Sequence, residues 1–474
     1  MQTIHREALS VLQQQSAEIL EGFTQASVMS CGDFGKVEEA AHAALLKLRY
    51  FVMSAGLALS SQSSRRTYHC PICGKALHGW NLVDRRVVTA EGEAMYRPVR
   101  CRCVACAQDY YPLEEANGLC GSQFTTGAKA LIGKAGSQTP YAHVSEWLSE
   151  ERGLPVSAKE VDRTVREVSS WRVEEEDRLK GALFGEEAAH LRAAGEDPLE
   201  AVAPLCEFEQ WEAQAPATIS VDGAMVRSCV KGADGNLEWF EHRAGIIAPA
   251  GEKAPGQAAY VGGVCSADAL FDLLAATWRK GGHVDRTCVF VADGALWIWD
   301  RVGLYFPEAI QVLDIYHAGE HVASAANACW GEKSAQSQSW RRQAREMLLE
   351  TEGPRVILRT LIAALKMPEQ VADPAQLRKE FRYLYHHRHR MRYRALKQQD
   401  LPVGSGAMES AIKQLSVQRL RQPGMKWTRE GADAVLRIRA AHLSGTFDQT
   451  VQRRHEKLKR AAQRYNTQPF ALAA

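Results

Sequence analysis

Apolar residues recur along this chain in two periods, and the changes from one to the other outline its organisation. Helical spacing predicts helices over 7–23 and 37–59, then alternation between Gly79 and Val99 predicts strands and a turn. Helical spacing returns at Tyr141–Leu148 and Ala158–Val168, with Gly153-Leu-Pro-Val-Ser157 as the turn between them and Ser157 as the second helix's N-cap. From residue 217 the pattern becomes strand-like. The β-branched run ATISVDGAMV (217–226) is followed by alternating stretches at 237–247 and 258–264, a helix over 267–280, and the apolar run TCVFVADGA (287–295). That order, strand, strand, strand, helix, strand, predicts a layered α/β unit with its first and fourth strands side by side. A fifth strand-like run covers 309–313, and 318–400 reads as helical, as in 339–365 apart from the break at Gly353-Pro354.

Three acids stand at marked places in this pattern. Asp222 and Asp293 close the first and fourth predicted strands, each just before a glycine, and Glu409 opens a helix after the flexible turn Val403-Gly-Ser-Gly-Ala407. Either aspartate alone would be an ordinary turn residue. Together, convergent carboxylates repel one another unless a cation neutralises them, and all-oxygen donors select a hard divalent ion, magnesium or manganese. Such ions can activate a water or a 3′-hydroxyl for in-line attack on a phosphodiester. Asp314 competes with Asp293 for the second place, because it also ends a strand-like run and precedes His317 at the start of a helix. Spacing alone leaves both open. We favour Asp293 because it ends the fourth strand, beside the first. His317 could orient a water, an acid or a phosphate, or could be a helix-start histidine satisfied by its neighbours.

The cysteines add a second metal chemistry. Two CxxC pairs, Cys70/Cys73 and Cys103/Cys106, each on a predicted tight turn, have the spacing of a tetrahedral zinc site in a ribbon, with Cys101 as an alternative ligand. A redox CxxC is the rival reading, and two paired motifs argue against it. The ribbon either contacts DNA, through Arg65, Arg66, Arg100 and Arg102, or staples a small domain. The start MQTIHREALSVLQQQ lacks a secretory pattern and Tyr50–Leu59 is too short to span a bilayer, so a cytoplasmic protein is expected, without membrane association.

Charge sharpens the picture because its net value of +2 hides a strong asymmetry. Residues 173–215 carry twelve acids against three Lys or Arg, whereas 410–474 carry thirteen Lys or Arg against four acids. Arg378–Lys397 adds eight basic residues. Basic segments flanking Glu409 predict a surface that tracks phosphates. Arg419, Arg421 and Lys426 are candidate contacts, and Trp427 could stack on an unpaired base or simply pack in a core. The helix pair 141–168 resembles a helix-turn-helix whose second helix offers Lys159, Arg163 and Arg166 to DNA. The sequence holds no GxxxxGK[ST] loop and therefore gives no support for nucleotide hydrolysis.

The strings ISVDGAMV, VFVADGALWIWDRVGLYFPEAIQVLDIYHAGEHV and LPVGSGAMESAIKQLSVQRLRQPGMKW resemble bacterial insertion-sequence transposases of the DDE class. The similarity is to the Kra-type group and, more loosely, to the Mutator-like transposases, from about Cys70 to about Leu443. The resemblance implies that Asp222, Asp293 and Glu409 are the catalytic acids on a ribonuclease H-like core with a helical insertion before the glutamate, with His317 in an Asp-x-x-His pattern after the second acid. It implies a multidomain α/β protein that binds double-stranded DNA, both element terminal repeats and target, as a homodimer or larger assembly near the bacterial nucleoid. The expected organisation is an N-terminal helical region (1–65), a zinc ribbon (66–120), a helix-turn-helix region (121–172), an acidic helical linker (173–215), the core in two parts (216–317 and 401–443) around the insertion (318–400), and a basic tail (444–474). Two rival readings are a metal-dependent nuclease or junction resolvase on the same scaffold, and a transposase-derived DNA-binding regulator without catalysis.

Overall fold

The computed structural model describes residues 2–63, 68–81, 84–206, 215–250, 258–350 and 352–465. Arg65 and Arg66 lie outside them. The chain forms two compact units, Met1–Trp171 with Asp448–Ala474, and Arg172–Phe447.

The first unit opens with α1 (Gln2–Met29) and α2 (Phe34–Ser63), both longer than the apolar period predicts. A ribbon follows: β1 (His78–Asn81), β2 (Arg85–Thr89), β3 (Gly92–Tyr96), β4 (Val99–Cys103) and β5 (Gln108–Tyr110). Strands β1, β4 and β5 make an antiparallel sheet in the order β1-β4-β5, and β2 and β3 pair as a separate hairpin. Then come α3 (Pro112–Asn117), α4 (Thr126–Gln138), α5 (Tyr141–Arg152) and α6 (Ala158–Phe184). Ser157 and Glu160 form a reciprocal capping box that starts α6, Glu160 N–H donating to Ser157 Oγ and Ser157 N–H to Glu160 Oε2.

The remainder of α6, from Arg172, belongs to the second unit and corrects the expected linker. Leu179 and Leu183 are buried in that unit's core. Glu176, 1% exposed, pairs with Arg172 and Arg437 of the same unit, so part of the acidic run is structural charge rather than a solvated spacer. A short helix α7 (Glu186–Ala193) follows.

The second unit is built on a mixed five-stranded sheet. Its strands are β6 (Ala217–Lys231), β7 (Leu237–Pro249), β8 (Ala259–Gly263), β9 (Cys288–Ala292) and β10 (Ile310–Leu313), in the order β10-β9-β6-β7-β8. Strands β6, β9 and β10 are mutually parallel, while β7 is antiparallel to β6 and β8. The first and fourth strands are neighbours, as the element order predicts. Strand β6 does not end at Asp222. It continues as a hairpin with β7 because buried Ala224, Val226 and Ser228 alternate with exposed Met225, Arg227 and Cys229, the period of a half-buried strand.

Helices α8 (Ala267–Lys280) and α9 (Leu296–Tyr305) join the end of α6 over one face, where Phe271, Leu274, Ile298 and Val302 pack with Phe290 of β9. The other face of β9, Val289 and Val291, is covered by the inserted helices. These are α10 (Ile315–Trp330), α11 (Ala335–Leu348), α12 (Gly353–Leu365), α13 (Pro374–His387) and α14 (Tyr393–Lys397). The insertion therefore shares a core with the sheet. After it, α15 (Gly406–Ile412) packs on β6 and β7 and runs through a π-helical turn, Lys413–Val417, into α16 (Gln418–Leu420). Helix α17 (Arg429–Leu443) packs on β8.

The chain returns to the first unit as α18 (Phe447–Gln463), which corrects the expected tail. Tyr465, fully buried, sits among Cys70, Leu77, Cys101 and Cys103, and its carbonyl accepts from His69 N–H at 2.6 Å.

Candidate active site

The strand register sets the acids in one row. Ala217 pairs with Cys288 and Ile219 with Phe290, and Asp222 and Asp293 keep the same spacing three residues further along. Leu313 pairs with Ala292, so Asp314 follows β10 at the level where Asp293 follows β9. Three acids thus stand level where β9 and β10 end beside β6.

Their environments separate them. Asp314 is 5% exposed and both its oxygens are engaged: Oδ1 accepts from His317 N–H at 2.8 Å, capping α10, and Oδ2 accepts from Ser405 N–H in the Gly-rich turn. It ties that turn to the strand end. Asp293 Oδ1 accepts from Ala295 N–H at 3.0 Å, and its carbonyl accepts from Trp299 Nε1 at 2.8 Å. Its other carboxylate oxygen accepts no hydrogen bond from the described residues. Asp222 accepts from Gly223 N–H at 2.7 Å. Burial pushes the Asp222 carboxyl up to about 6; the Gly223 bond pulls the other way and the charge of Asp293 adds to the rise. His317 acts on Asp222 in the lowering direction, and its Nδ1 lies 3.4 Å from Glu320.

Glu409 is exposed on α15, the helix that packs on β6 and β7. It is not drawn into a closed cluster with the aspartates. Among the described residues, the group with three or more ligand atoms within 4.8 Å of one another is Cys70, Cys73, Cys103 and Cys106. Cys73 Sγ lies 3.5 Å from Cys103 Sγ, and Cys70 Sγ lies 3.9 Å from Cys106 Sγ. Tetrahedral zinc at about 2.3 Å from each sulfur separates its ligands by about 3.8 Å, so the cradle fits that ion. Both turns are followed by a left-handed residue, Gly74 at φ 71° and Ala107 at φ 56°, which lets each tight loop turn back beneath the sulfurs. Cys101 is buried and stands outside the tetrad.

The expected DNA contacts divide. Lys159 and Arg163 are exposed one helical turn apart on α6, and Arg166, partly exposed, is paired to Asp162 at 3.1 Å. Arg421 and Lys426 are exposed, Arg421 bonding the carbonyl of Met225 at 2.8 Å. Arg419 corrects the expectation, and Trp427 takes the core alternative. Arg419 is 1% exposed with its guanidinium 4.7 Å from the Trp427 ring, and Trp427 is 6% exposed with Nε1 bonded to the Leu420 carbonyl at 3.1 Å. The backbone of Trp427 also bonds Arg227 and Cys229, so this segment extends the edge of β6 rather than a nucleic-acid surface.

Sequence pattern alone marks His321 as surface or structural and gives no role to Glu380 and Tyr383. The structure groups them near His317: His321 Nδ1 lies 2.5 Å from Glu380 Oε2, and its ring stacks on Tyr383. A sequence signal is present in the spacings of His317 with His321 and Glu380 with Tyr383, each pair on one helical face.

Comparison with known proteins adds little to this geometry. The profile of an uncharacterised protein family, UPF0236, matches residues 282–457, a span holding Asp293, Asp314, His317 and Glu409 but not Asp222. No curated protein matches the chain. Among solved structures it aligns with the Drosophila P element transposase strand transfer complex over 61% of this chain and 81% of that one, at 9% identity. The TM-score is 0.20, and that likeness carries no argument. No helix among the described residues is long and apolar enough to cross a membrane.

Proposed function

We propose that the chain is a DNA transposase that cuts the ends of a mobile element in a metal-dependent reaction and joins the freed 3′-hydroxyl to target DNA. The observation that carries this reading is the level placement of Asp222 and Asp293 on neighbouring parallel strands, with an unsatisfied carboxylate oxygen on Asp293 and a carboxyl on Asp222 raised by burial and by its neighbour. Two oxygen-donor acids with uncompensated charge fit a hard divalent cation, magnesium or manganese. Such an ion would stabilise charge on the attacking and leaving oxygens of a phosphodiester. In support, the sheet order, with its second strand antiparallel, suits the ribonuclease H-like core that the sequence resemblance implies.

In this reading Asp222 and Asp293 hold the cation, and Glu409 joins them when DNA is bound. Asp314 positions the glutamate's approach by fixing Ser405. His317, with Nδ1 3.4 Å from Glu320, orients a water, an acid or a phosphate beside these acids. Lys159, Arg163, Arg421 and Lys426 are the phosphate and base contacts, zinc holds the ribbon, and two copies bring two DNA ends together.

The test is strand transfer with pre-cleaved ends in Mg2+ or Mn2+. A transposase joins them to target DNA. A nuclease cuts intact DNA but leaves such ends unjoined, and an inactive DNA-binding derivative does neither.

A further inference from the structure

Gly294, directly after Asp293, is packed against Tyr383 so closely that a Cβ there would stand 2.0 Å from the tyrosine oxygen and 2.3 Å from its ring. Only glycine admits that approach. Tyr383 comes from α13, so the inserted helices reach the turn that carries the second acid. Its hydroxyl is buried and has no partner at hydrogen-bonding geometry among the described residues, an expensive state for a group that both donates and accepts.

The ring itself is well held. It stacks on His321 with 3.5 Å between centroids and 17° between planes. Glu380, 3% exposed, orients that histidine from below: besides His321 it accepts from Ser324 Oγ at 3.0 Å and Gln376 Nε2 at 2.6 Å. At the far side the His317 ring lies 5.3 Å from His321 and 6.5 Å from Tyr383. A buried carboxylate, a histidine and a tyrosine thus form a stack that ends on the Asp293–Gly294 turn.

We propose that Tyr383 is a positioning residue for the Asp293–Gly294 turn, held by the Glu380–His321 pair, so that the inserted helices set how well Asp293 holds its divalent cation. This rests on the metal-dependent reading of Asp222 and Asp293. Outer groups that orient a metal ligand typically change affinity or activity by roughly 10–100-fold when removed.

The test uses the full chain, with calorimetric Mn2+ titration beside cleavage followed against Mn2+ concentration. Tyr383→Phe keeps the stack and removes only the hydroxyl. It should weaken Mn2+ binding and raise the Mn2+ needed for half-maximal cleavage by roughly tenfold or more, with DNA affinity unchanged and Tm not lowered. Gly294→Ala, whose methyl displaces the ring, should lose at least as much. The proposal is overturned if Tyr383→Phe binds and uses Mn2+ as the native chain does while Asp222→Asn does not. If Asp222→Asn also leaves Mn2+ binding and cleavage unaltered, the functional reading itself falls and this proposal with it.

Discussion

In the ribbon, four thiols from two short turns already stand within 4.8 Å of one another, whereas the acids of the sheet unit come from β6, the end of β9 and α15 and form no such cluster among the described residues. Local turn geometry brings the thiols together. The acids come from elements far apart in sequence, and burial, with a smaller contribution from the charge of Asp293, pushes the Asp222 carboxyl up to about 6. A structural metal site can therefore be prebuilt by sequence-local contacts, while a catalytic one keeps uncompensated charge until its cation and substrate arrive.

The largest effect that would sharpen this contrast is at the ribbon. Structural zinc contributes about 10–16 kcal/mol of apparent binding free energy in small domains. Cys73→Ser or strong chelation should therefore abolish bound zinc and the ribbon's cooperative melting, read by metal analysis and calorimetry. Unchanged melting after complete zinc removal would break the comparison on that side. Next, Lys159→Ala with Arg163→Ala should weaken DNA binding and lower the slope of log affinity against log salt by about 2, one for each phosphate no longer neutralised. An unaltered slope would take α6 out of the DNA surface.

Asp314→Asn is the smaller test of how the acidic row is divided. Asn caps α10 as well as Asp does, but its amide nitrogen cannot accept from Ser405 N–H as Oδ2 does, a loss of about 1–3 kcal/mol, so Tm should fall while measurable metal-dependent cleavage remains. The smallest effect concerns charge. Folding raises Asp222 from its ordinary 3.8 to about 6, so the folded state holds this proton more tightly and stability falls as pH rises through that window. Without metal, Asp222→Asn should therefore raise Tm at pH 8, and the gain should vanish below pH 4.

How much is legible in the sequence follows from how local each feature is. The CxxC turns, the Ser157 cap and the order of strands are written in short stretches, and the adjacency of β6 and β9 follows from that order. The end of β6 is not legible, because the Asp-Gly pair signals a turn while the alternation from Ala224 to Cys229 that carries the strand onward is the weaker cue. Charge makes Arg419 look like a surface residue, and local pattern leaves Trp427 open between a base-stacking ring and a core one. Trp427 is buried through its pairing with β6, nearly two hundred positions away, and Arg419 lies over its ring, which no local pattern encodes. The stack of Glu380, His321 and Tyr383 joins two inserted helices for the same non-local reason. The acidic run at 173–184 has the look of a linker because composition does not reveal that Glu176 meets Arg437.

The most direct measurement is single-turnover cleavage of labelled duplex DNA in Mg2+ or Mn2+, comparing the native chain with Asp222→Asn, Asp293→Asn and Asp314→Asn at equal DNA occupancy. The native chain should cleave with metal and not with chelator, the first two variants should fall to background, and Asp314→Asn should retain activity. Full cleavage by Asp222→Asn or Asp293→Asn, or loss in Asp314→Asn alone, would contradict the assignment of the metal-holding pair.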